Sequence, residues 1–324
     1  MKFMAPKFWY KSNLLGYILY PLSLLYLLFR YLHILISKQK RFSKKLVTIG
    51  NVTVGGAGKT PVAIAISDIL SAKEIKFCFL AKGYGAKEKG PLLVDKRYHD
   101  AFLVGDEPML LNQNGDCYVS YNRLQADSLI SESDADVIIM DDGYQNPNIK
   151  HDVKILVIDG DMRFGNGMLL PAGPLRDFPA KTVRNADMVI IIGEVNPGFE
   201  VYLRNLNQKL FLAKREISRP KKGKKYFAFS GLANNEKFFS SIEQVGYKIE
   251  RRKEFPDHYR YKDKDIEEMI NIATSQQLQL VTTAKDLVKI PINFRYKMEV
   301  VQLEILFDDE KGVSDELLVS LLSS

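Results

Sequence analysis

The strongest chemical signal in this sequence is a short glycine-rich segment that ends in a lysine, a threonine and a proline. It consists of Gly55, Gly56, Ala57, Gly58, Lys59, Thr60 and Pro61. Glycines let consecutive backbone N–H groups turn toward an anion, the lysine places a positive charge against the β- and γ-phosphates, and the threonine hydroxyl can complete a Mg²⁺ shell. The segment therefore predicts a loop that binds a nucleoside triphosphate with magnesium.

The residues on either side of this loop support the prediction. The apolar run at 46–49 predicts a strand directly before it, and residues 60–72 have a helical pattern directly after it. Pro61 suits the first turn of that helix, where its missing N–H would have no partner anyway. The strict pattern has a glycine where this chain has Thr53, and a glycine-rich turn without a ligand is the alternative interpretation.

A second segment, at residues 137–143, is an apolar strand that ends in two carboxylates, Asp141 and Asp142. Mg²⁺ prefers oxygen ligands and is usually bound by one or two protein carboxylates, so this segment suits the Walker B position opposite Thr60. Side chains alternate along a strand, so both carboxylates can face the metal only if the strand ends between them, and Asp141 is the preferred ligand. A surface turn is the alternative.

Four other segments carry groups that suit this chemistry without establishing it. They are GDEP at 105–108, PAGPLRD at 171–177, FPDHY at 255–259 and TTAKD at 282–286. A carboxylate in the first is what a kinase needs to accept a proton from a hydroxyl group, although acidic residues before a proline are more often a solvated turn. The single histidine of the third segment and the turn residues of the other two can equally be incidental.

The elements that would position these residues follow from the apolar runs. Runs at 46–50, 77–80, 137–140, 153–158 and 188–192 are continuous. Such runs are typical of parallel strands that are covered on both faces. The predicted fold class is therefore α/β of the P-loop NTPase type, with a mostly parallel sheet and helices on both faces.

A basic stretch with a proline and a glycine, at 219–225, predicts a linker after this sheet. Further strands are predicted at 226–229, 278–282 and 300–305, with helices at 234–245 and 263–276. The predicted organisation is an N-terminal membrane-associated helix with basic flanks at 1–45, a core with the phosphate loop at 46–218, and a second, smaller α/β lobe at 219–324.

The N-terminal segment at 14–36 is mostly apolar and, as a helix, would be about 34 Å long, against roughly 30 Å for the hydrocarbon core of a bilayer. Gly16, Ser23, Arg30 and Ser37 recur every seven residues and form a narrow polar stripe along it. These features favour an anchor that is embedded in the membrane or lies on its surface. A helix buried in a soluble protein is the alternative.

Charge and cysteine content argue against a nucleic-acid-binding protein and against a protein stabilised by zinc or disulfides. Nine of the 46 lysines and arginines lie within residues 1–45, which contain no aspartate or glutamate, and this local excess explains the formal charge of +7. An anionic membrane surface suits such an excess better than DNA, so we expect no nucleic-acid partner. Cys78 and Cys117 have no partners at metal-ligand spacing, so a zinc site or a disulfide framework is not expected.

The motifs, taken in their order, resemble the tetraacyldisaccharide 4'-kinase family of lipid A biosynthesis over nearly the whole chain. They are GNVTVGGAGKTP from 50, AKGYG from 81, GDEP from 105, DDGYQN from 141, LLPAGPLRDF from 169, FPDHY from 255 and TTAKDLVK from 282. The resemblance implies transfer of the ATP γ-phosphoryl group to the 4'-hydroxyl of tetraacyldisaccharide 1-phosphate, which forms lipid IVA. It further implies the cytoplasmic face of the inner membrane of a Gram-negative bacterium, and no obligate protein partner.

Carried onto matching positions, the resemblance implies a role for each candidate residue. Residues 55–61 would bind the nucleotide, and the Mg²⁺ ligands would be Thr60, Asp141, Asp142 and Glu107. Asp106 and His258 would form a catalytic dyad, in which Asp106 accepts the hydroxyl proton and His258, from the other lobe, orients or tunes it. Arg123 and Arg176 would contact phosphate oxygens, and Tyr84 would lie in the substrate cleft.

Two positions depart from the family pattern, and two other functions compete with the kinase. The family usually has histidine where this chain has Asn146 and arginine where it has Lys82. One competitor is a membrane-tethered P-loop switch or partitioning ATPase, whose signature lysine before the double glycine is replaced here by Val54. The other is a soluble small-molecule kinase whose first helix is not a membrane anchor.

Overall fold

The structure, a computed structural model, describes residues 6–11, 13–232 and 234–324. Lys2, one of the basic residues predicted to flank the N-terminal helix, lies outside these ranges. The α-helices are α1 Leu14–Ile36, α2 Lys59–Ala72, α3 Ala101–Val104, α4 Asp106–Leu111, α5 Asp127–Ser131, α6 Pro179–Arg184, α7 Pro197–Leu206, α8 Asn235–Gln244, α9 Asp263–Ser275, α10 Ala284–Leu287 and α11 Glu310–Ser323. The strands are β1 Lys45–Asn51, β2 Phe77–Ala81, β3 Leu92–Leu93, β4 Cys117–Val119, β5 Val137–Asp141, β6 Val153–Asp159, β7 Met188–Ile192, β8 Leu210–Ile217, β9 Lys225–Ser230, β10 Lys248–Glu254, β11 Gln279–Thr283, β12 Met298–Val301 and β13 Leu303–Phe307.

The described strands form two sheets. The larger has nine strands in the order β13-β8-β7-β6-β1-β5-β2-β4-β3, and its pairs are parallel except for β13 with β8 and β3 with β4. The smaller has four parallel strands in the order β10-β9-β11-β12. Ligands of open α/β sheets bind at the carboxyl ends of the strands, and the loop after the central strand β1 lies at that edge. The predicted α/β fold is confirmed.

Alternate residues of the central strands pack on opposite faces of the larger sheet. Ile139 belongs to a buried cluster with Ile66 of α2, whereas its neighbour Ile138 belongs to a second cluster with Ile130 of α5. Full burial of such a side chain contributes about 1.5–3 kcal/mol. Because both faces are covered, every position of these strands gains by being apolar, which explains the continuous apolar runs.

The end of the chain returns to the larger sheet, which corrects the lobe predicted at 219–324. The run predicted as one strand at 300–305 is two strands, β12 in the smaller sheet and β13 in the larger one. Strand β13 pairs antiparallel with β8, and Val313 and Leu317 of α11 are buried in the cluster that contains α2. The apolar face of α11 is buried against the larger sheet and α2, so packing draws these residues away from the second lobe.

The chain crosses between the two sheets at neighbouring positions. Residues 218–224 join β8 to β9, and Gln302 joins β12 to β13. The Ser218 N–H donates to the Gln302 carbonyl at 3.0 Å, and the Gln302 N–H donates to the Ser218 hydroxyl oxygen at 3.0 Å. Contact between the lobes elsewhere therefore depends on side-chain packing and not on chain connectivity.

Helix α1 packs through its polar stripe on the loop at 160–178, which joins β6 to α6. The buried Ser23 hydroxyl donates to the Leu169 carbonyl at 2.9 Å, and the Arg30 guanidinium lies 3.0 Å from an Asp177 carboxylate oxygen. A side chain at Gly16 would meet the same loop at 3.2 Å, so glycine permits this close approach. The stripe that suggested a surface-lying or embedded anchor is thus a docking face.

The rest of α1 is apolar and exposed. The helix is long and apolar enough to cross a membrane by length and composition, and 6% of its most apolar 18-residue window is buried. Its exposed side chains include Ile18, Leu22, Leu25, Phe29 and Ile36. A contiguous apolar face of this kind marks a surface that contacts a membrane or another protein.

His151 makes the stability of the fold depend on pH. Its Nδ1 atom lies 2.8 Å from the Thr48 hydroxyl oxygen, beneath the central strand. Burial lowers the pKa of His151 from 6.5 to about 4, against a smaller opposing effect of the Asn146 carbonyl. The unfolded chain therefore binds a proton more readily, so this stability is present above pH 6.5 and is lost as the pH falls toward 4.

We predict that His151→Gln flattens this acid destabilisation. Between pH 7 and pH 5 the wild-type protein should lose about 2 kcal/mol more of its free energy of unfolding than the variant, from the shift in the His151 pKa. Urea denaturation at the two pH values measures the difference. His33→Gln, at an exposed histidine, is the matched control and should behave as wild type. Equal losses in the wild-type and His151→Gln proteins would contradict the prediction.

Candidate active site

The loop between β1 and α2 needs glycine at one position and not at another. Gly58 has a left-handed φ of +89°, and a Cβ there would lie 2.8 Å from Ile192. Thr53, where the strict pattern has glycine, forms an antiparallel bridge with Leu175 instead, and the next N–H, of Val54, donates to the Pro174 carbonyl at 2.8 Å. The loop is therefore joined to the 160–178 loop by backbone pairing that any residue can make.

Lys59 opens helix α2 and lies between two oxygen atoms. Its ammonium group donates to the Asn51 side-chain oxygen at 3.2 Å and lies 3.5 Å from an Asp142 carboxylate oxygen. The positive charge is thus held beside the loop amides, at the helix end where the dipole also favours an anion.

Asp141 ends strand β5 directly beside the start of α2. Its Oδ2 atom accepts a hydrogen bond from the Thr60 hydroxyl at 2.7 Å, and its Oδ1 atom is buried with no hydrogen-bond partner among the described residues. Burial, followed by the negative charge of Glu107, raises the pKa of Asp141 to about 7. A cation bound at this carboxylate would give the unpaired Oδ1 atom a partner. It would also offset the free-energy cost of burying the negative charge.

Asp142 follows with a left-handed φ of +53°, which turns its carboxylate to the same side. One of its oxygens lies 3.1 Å from the Arg176 guanidinium as well as 3.5 Å from Lys59. Burial alone would raise the pKa of Asp142, but the positive charges of Lys59, Arg176 and Arg123 outweigh it and lower the pKa. The strand ends at Asp141, which is the condition under which both carboxylates can face one site.

These oxygen atoms fit a magnesium ion. Mg²⁺ is held by one or two carboxylates, with water and substrate phosphates completing its octahedron, so a dense protein cage is not required. No group of three or more His, Cys, Asp or Glu side chains suited to a metal occurs in the described ranges, so the three predicted carboxylates Asp141, Asp142 and Glu107 do not form such a group there. The unpaired Oδ1 of Asp141 and the hydroxyl of Thr60 are hard oxygen donors in the required place.

Arg123, a predicted phosphate ligand, contacts the main chain of the two carboxylate residues. Its side chain is buried, and one guanidinium nitrogen donates to the main-chain carbonyls of Asp142 at 2.9 Å and Asp141 at 3.2 Å. The group is thus bound to the main chain that carries the two carboxylates, and its contact with phosphate stays a prediction. Burial lowers its pKa, against the raising effect of the carboxylates.

Asp106 and His258 meet across the boundary between the lobes. Asp106 is the first residue of α4 in the larger lobe, His258 lies in the loop after β10 in the smaller one, and their Oδ2 and Nδ1 atoms are 2.8 Å apart. Burial alone would raise the pKa of Asp106, but the His258 hydrogen bond and the charges of Lys289 and Lys285 lower it. A carboxylate held as an anion at this position can accept a proton.

The other predicted residues flank this contact. Glu107 follows Asp106 in the first turn of α4, close enough for its charge to act on Asp141 and on Arg123. Tyr84 is 74% exposed, and its ring centroid lies 6.2 Å from that of His258. The structure thus brings segments that are 152 residues apart in sequence to one edge of the larger sheet.

Comparison with known proteins decides the family. The family model described as tetraacyldisaccharide-1-P 4'-kinase matches residues 15–322. The chain belongs to this family of kinases. It is 39% identical over 291 residues to the tetraacyldisaccharide 4'-kinase of Rickettsia canadensis, with 89% of each chain covered. It is 35% identical over 329 residues to that of Rhodospirillum rubrum, with 99% of each chain covered.

A solved structure supports the same relationship. The crystal structure of LpxK from Aquifex aeolicus in complex with ATP superposes on this 4'-kinase with a TM-score of 0.77 at 25% sequence identity. The match covers 95% of this chain and 100% of that chain. The similarity therefore extends over both lobes and α1.

The two departures from the family pattern have local partners in this 4'-kinase. The Asn146 side-chain oxygen accepts a hydrogen bond from the Asn148 N–H at 3.0 Å, within a turn. The exposed Lys82 ammonium lies 4.6 Å from the centre of the Tyr121 ring. Neither side chain contacts the carboxylates or Lys59 in the described structure.

Sequence reasoning missed two polar residues of this 4'-kinase. Asn51 accepts from Lys59 and donates to the Gly55 carbonyl at 3.3 Å, so it braces the loop from within. Gln145 donates to the Asn51 carbonyl and accepts from Arg176 at 3.1 Å. Both lie inside motifs that were recognised, GNVTV and DDGYQN, and their place in those motifs was the available signal.

We predict that Asp141→Asn makes the nucleotide-free 4'-kinase more stable and catalytically inactive. The raised pKa of Asp141 means that its stability contribution is present at low pH and is lost as the pH rises through about 7. A neutral amide avoids that loss and still accepts from Thr60, so the melting temperature at pH 8 should rise by several degrees. At pH 5 the gain should be less than half as large, and it should vanish only below pH 3.8, where the unfolded chain is protonated as well.

Asp142→Asn is the matched control for this experiment. It removes a carboxylate that is already paired with Lys59 and Arg176, so it should lower the melting temperature or leave it unchanged. Differential scanning calorimetry of both variants at pH 5 and pH 8 makes the comparison. A melting temperature of Asp141→Asn at pH 8 at or below that of the wild-type protein would refute the prediction.

Proposed function

We propose that this chain binds ATP with Mg²⁺ and transfers the γ-phosphoryl group to the 4'-hydroxyl of tetraacyldisaccharide 1-phosphate, forming lipid IVA. The observation that carries the proposal is the convergence of Lys59, Thr60 and Asp141 with the Asp106–His258 pair, in a chain of the 4'-kinase family. Phosphoryl transfer needs mainly positioning and charge neutralisation. The site has groups for both tasks.

The nucleotide and the metal would be held by the larger lobe. The loop amides and Lys59 would bind the β- and γ-phosphates, and Thr60 and Asp141 would be Mg²⁺ ligands, with Asp142 and Glu107 as further carboxylates on the same side. Bound Mg²⁺ would neutralise charge on the phosphates. Arg176 would exchange its contact with Asp142 for a phosphate oxygen, because its planar guanidinium suits that geometry.

The acceptor hydroxyl would be activated by Asp106. Asp106 takes the hydroxyl proton as the oxygen forms a bond to the γ-phosphorus, and the bond from that phosphorus to the β–γ bridging oxygen breaks with release of ADP. His258, bonded to Asp106 through Nδ1, fixes the direction of the carboxylate. Tyr84 is exposed beside His258, where a sugar ring would enter the site.

The membrane position follows from α1 in this proposal. Its exposed apolar face would insert into the cytoplasmic leaflet of the inner membrane, and the basic residues that follow it would contact anionic head groups. The docking of α1 on the 160–178 loop supports a fixed distance between that leaflet and the site. In this arrangement the site would reach the sugar of a lipid acceptor while the acyl chains of that lipid stay in the bilayer.

The decisive experiment is transfer of labelled phosphate from ATP to a purified lipid A disaccharide 1-phosphate. We expect Asp106→Ala and His258→Ala to lower kcat by about 10²–10⁴-fold, because each removes part of the general base. ATP affinity, measured by equilibrium binding, should change little. Near-normal turnover in either variant would sink the dyad assignment.

Asn146→His serves as the control for the dyad variants, because Asn146 does not contact the dyad or Lys59, and it should keep wild-type turnover. The competing function, a membrane-tethered P-loop switch, predicts a different result in the same assay. ATP would then be hydrolysed without a lipid acceptor and faster with a protein partner.

We predict that Ile18→Asn/Leu25→Asn/Phe29→Asn abolishes binding to vesicles that contain anionic lipid, while ATP binding remains. These side chains lie on the exposed face of α1 and leave the Ser23 and Arg30 contacts intact. Vesicle flotation measures the loss. A double variant at exposed positions of the other lobe, Ile292→Asn/Tyr296→Asn, is the control and should float as wild type. Unchanged flotation of the α1 variant would remove the anchor hypothesis.

A further inference from the structure

We infer that a buried ion pair between Lys289 and Asp286, together with Tyr261, positions His258 for its contact with Asp106. This inference rests on the proposed function and extends it to the TTAKDLVK segment, whose role the sequence left undecided. His258 itself meets Asp106, whereas the residues named here support the histidine and are positioning residues.

The ion pair is fully enclosed. The Lys289 ammonium lies 2.6 Å from Asp286 Oδ1, and the two side chains are 3% and 0% exposed. Asp286 Oδ1 also accepts from the Tyr261 hydroxyl and the Gly231 N–H, each at 3.0 Å. Its Oδ2 accepts from the Thr283 hydroxyl at 2.7 Å. Removing two charges from water costs about as much as their attraction returns, so stability alone does not explain such a pair.

This network holds the loop of His258 on its C-terminal side. Tyr261, three residues after His258, is fixed by its hydroxyl to Asp286, and its ring packs on that of Phe255 at a centroid distance of 4.9 Å. Phe255 is fixed in turn by its N–H, which donates to the Ser230 carbonyl at 2.9 Å. Phe255 and Tyr261, three residues before and three residues after the histidine, are therefore both held in place.

Helix α10, which contains Asp286, also supports the histidine through Asp257. Lys285 of α10 lies 3.9 Å from one carboxylate oxygen of Asp257, and the other oxygen of Asp257 lies 3.5 Å from His258 Nε2. His258 has a left-handed φ of +56°. A non-glycine residue keeps that conformation only where the surroundings determine it, and these contacts are the surroundings.

The test compares the wild-type protein with Lys289→Met and with Asp286→Leu/Lys289→Met, each also in a His258→Ala background. The double variant removes both buried charges together, whereas the single variant leaves the Asp286 carboxylate without its counter-ion. Lys225→Met, which breaks an exposed ion pair with Glu250 in the same sheet, is the control. Thermal melting checks that each protein is folded.

We expect kcat to fall by about 10- to 100-fold in Asp286→Leu/Lys289→Met, because a displacement of about 1 Å at the reacting groups can cost that much. The KM for ATP should remain near its wild-type value. In the His258→Ala background the same substitutions should lower kcat much less, because the positioning effect needs the histidine and only the direct effect of the Lys289 charge on Asp106 remains. Equal falls of kcat in both backgrounds, or a wild-type kcat in the double variant, would overturn the inference.

A spectroscopic measurement separates this inference from the proposed function. The chain has four histidines, so the imidazole nitrogen signals of His258 can be assigned in an NMR spectrum by comparison with His258→Ala. We expect these signals to move in Asp286→Leu/Lys289→Met and to stay unchanged in Lys225→Met. Unmoved signals would refute the positioning role whether or not the protein transfers phosphate, and absence of transfer by the wild-type protein would count against the proposed function alone.

Discussion

The hydrogen bond between Thr60 and Asp141 joins the two elements on which the site is built. Parallel pairing of β1 with β5 places the phosphate loop beside the two carboxylates, and burial of those carboxylates in a low-dielectric edge has to be compensated. Lys59, Arg176 and Arg123 compensate Asp142, whereas Asp141 keeps an unpaired oxygen. In the proposed function, that imbalance would be the physical origin of Mg²⁺ binding.

The second constraint is that Asp106, the proposed proton acceptor, and its partner His258 belong to different lobes. The two chain crossings lie side by side at Ser218 and Gln302, so connectivity does not hold His258 against Asp106. Packing in the smaller lobe does so, through the aromatic residues around His258 and the enclosed Lys289–Asp286 pair. A rigid support in that lobe matters because the distance between the dyad atoms decides whether the carboxylate is correctly directed.

The N-terminal helix is part of the same assembly. Arg30 of α1 binds Asp177, and the adjacent residue Arg176 binds Asp142. The Tyr26 hydroxyl donates to the Arg176 carbonyl at 3.0 Å, so the helix contacts the main chain of the residue that reaches the site. The helix is therefore packed firmly against the larger lobe. Substitutions on its docking face should change the position of Arg176.

The sequence by itself determined the local chemistry: the phosphate loop, the strand that ends in Asp141, the apolar helix and the parallel sheet all follow from residue types and spacing within short segments. Only the tertiary structure decided what depends on distant partners. The return of β13 and α11 to the larger sheet, the burial of Arg123 under the carboxylates, and the use of the α1 stripe for docking are of this kind. Hydrophobic periodicity indicates that a face is buried but not which surface covers it. The sequence alone therefore could not predict these contacts.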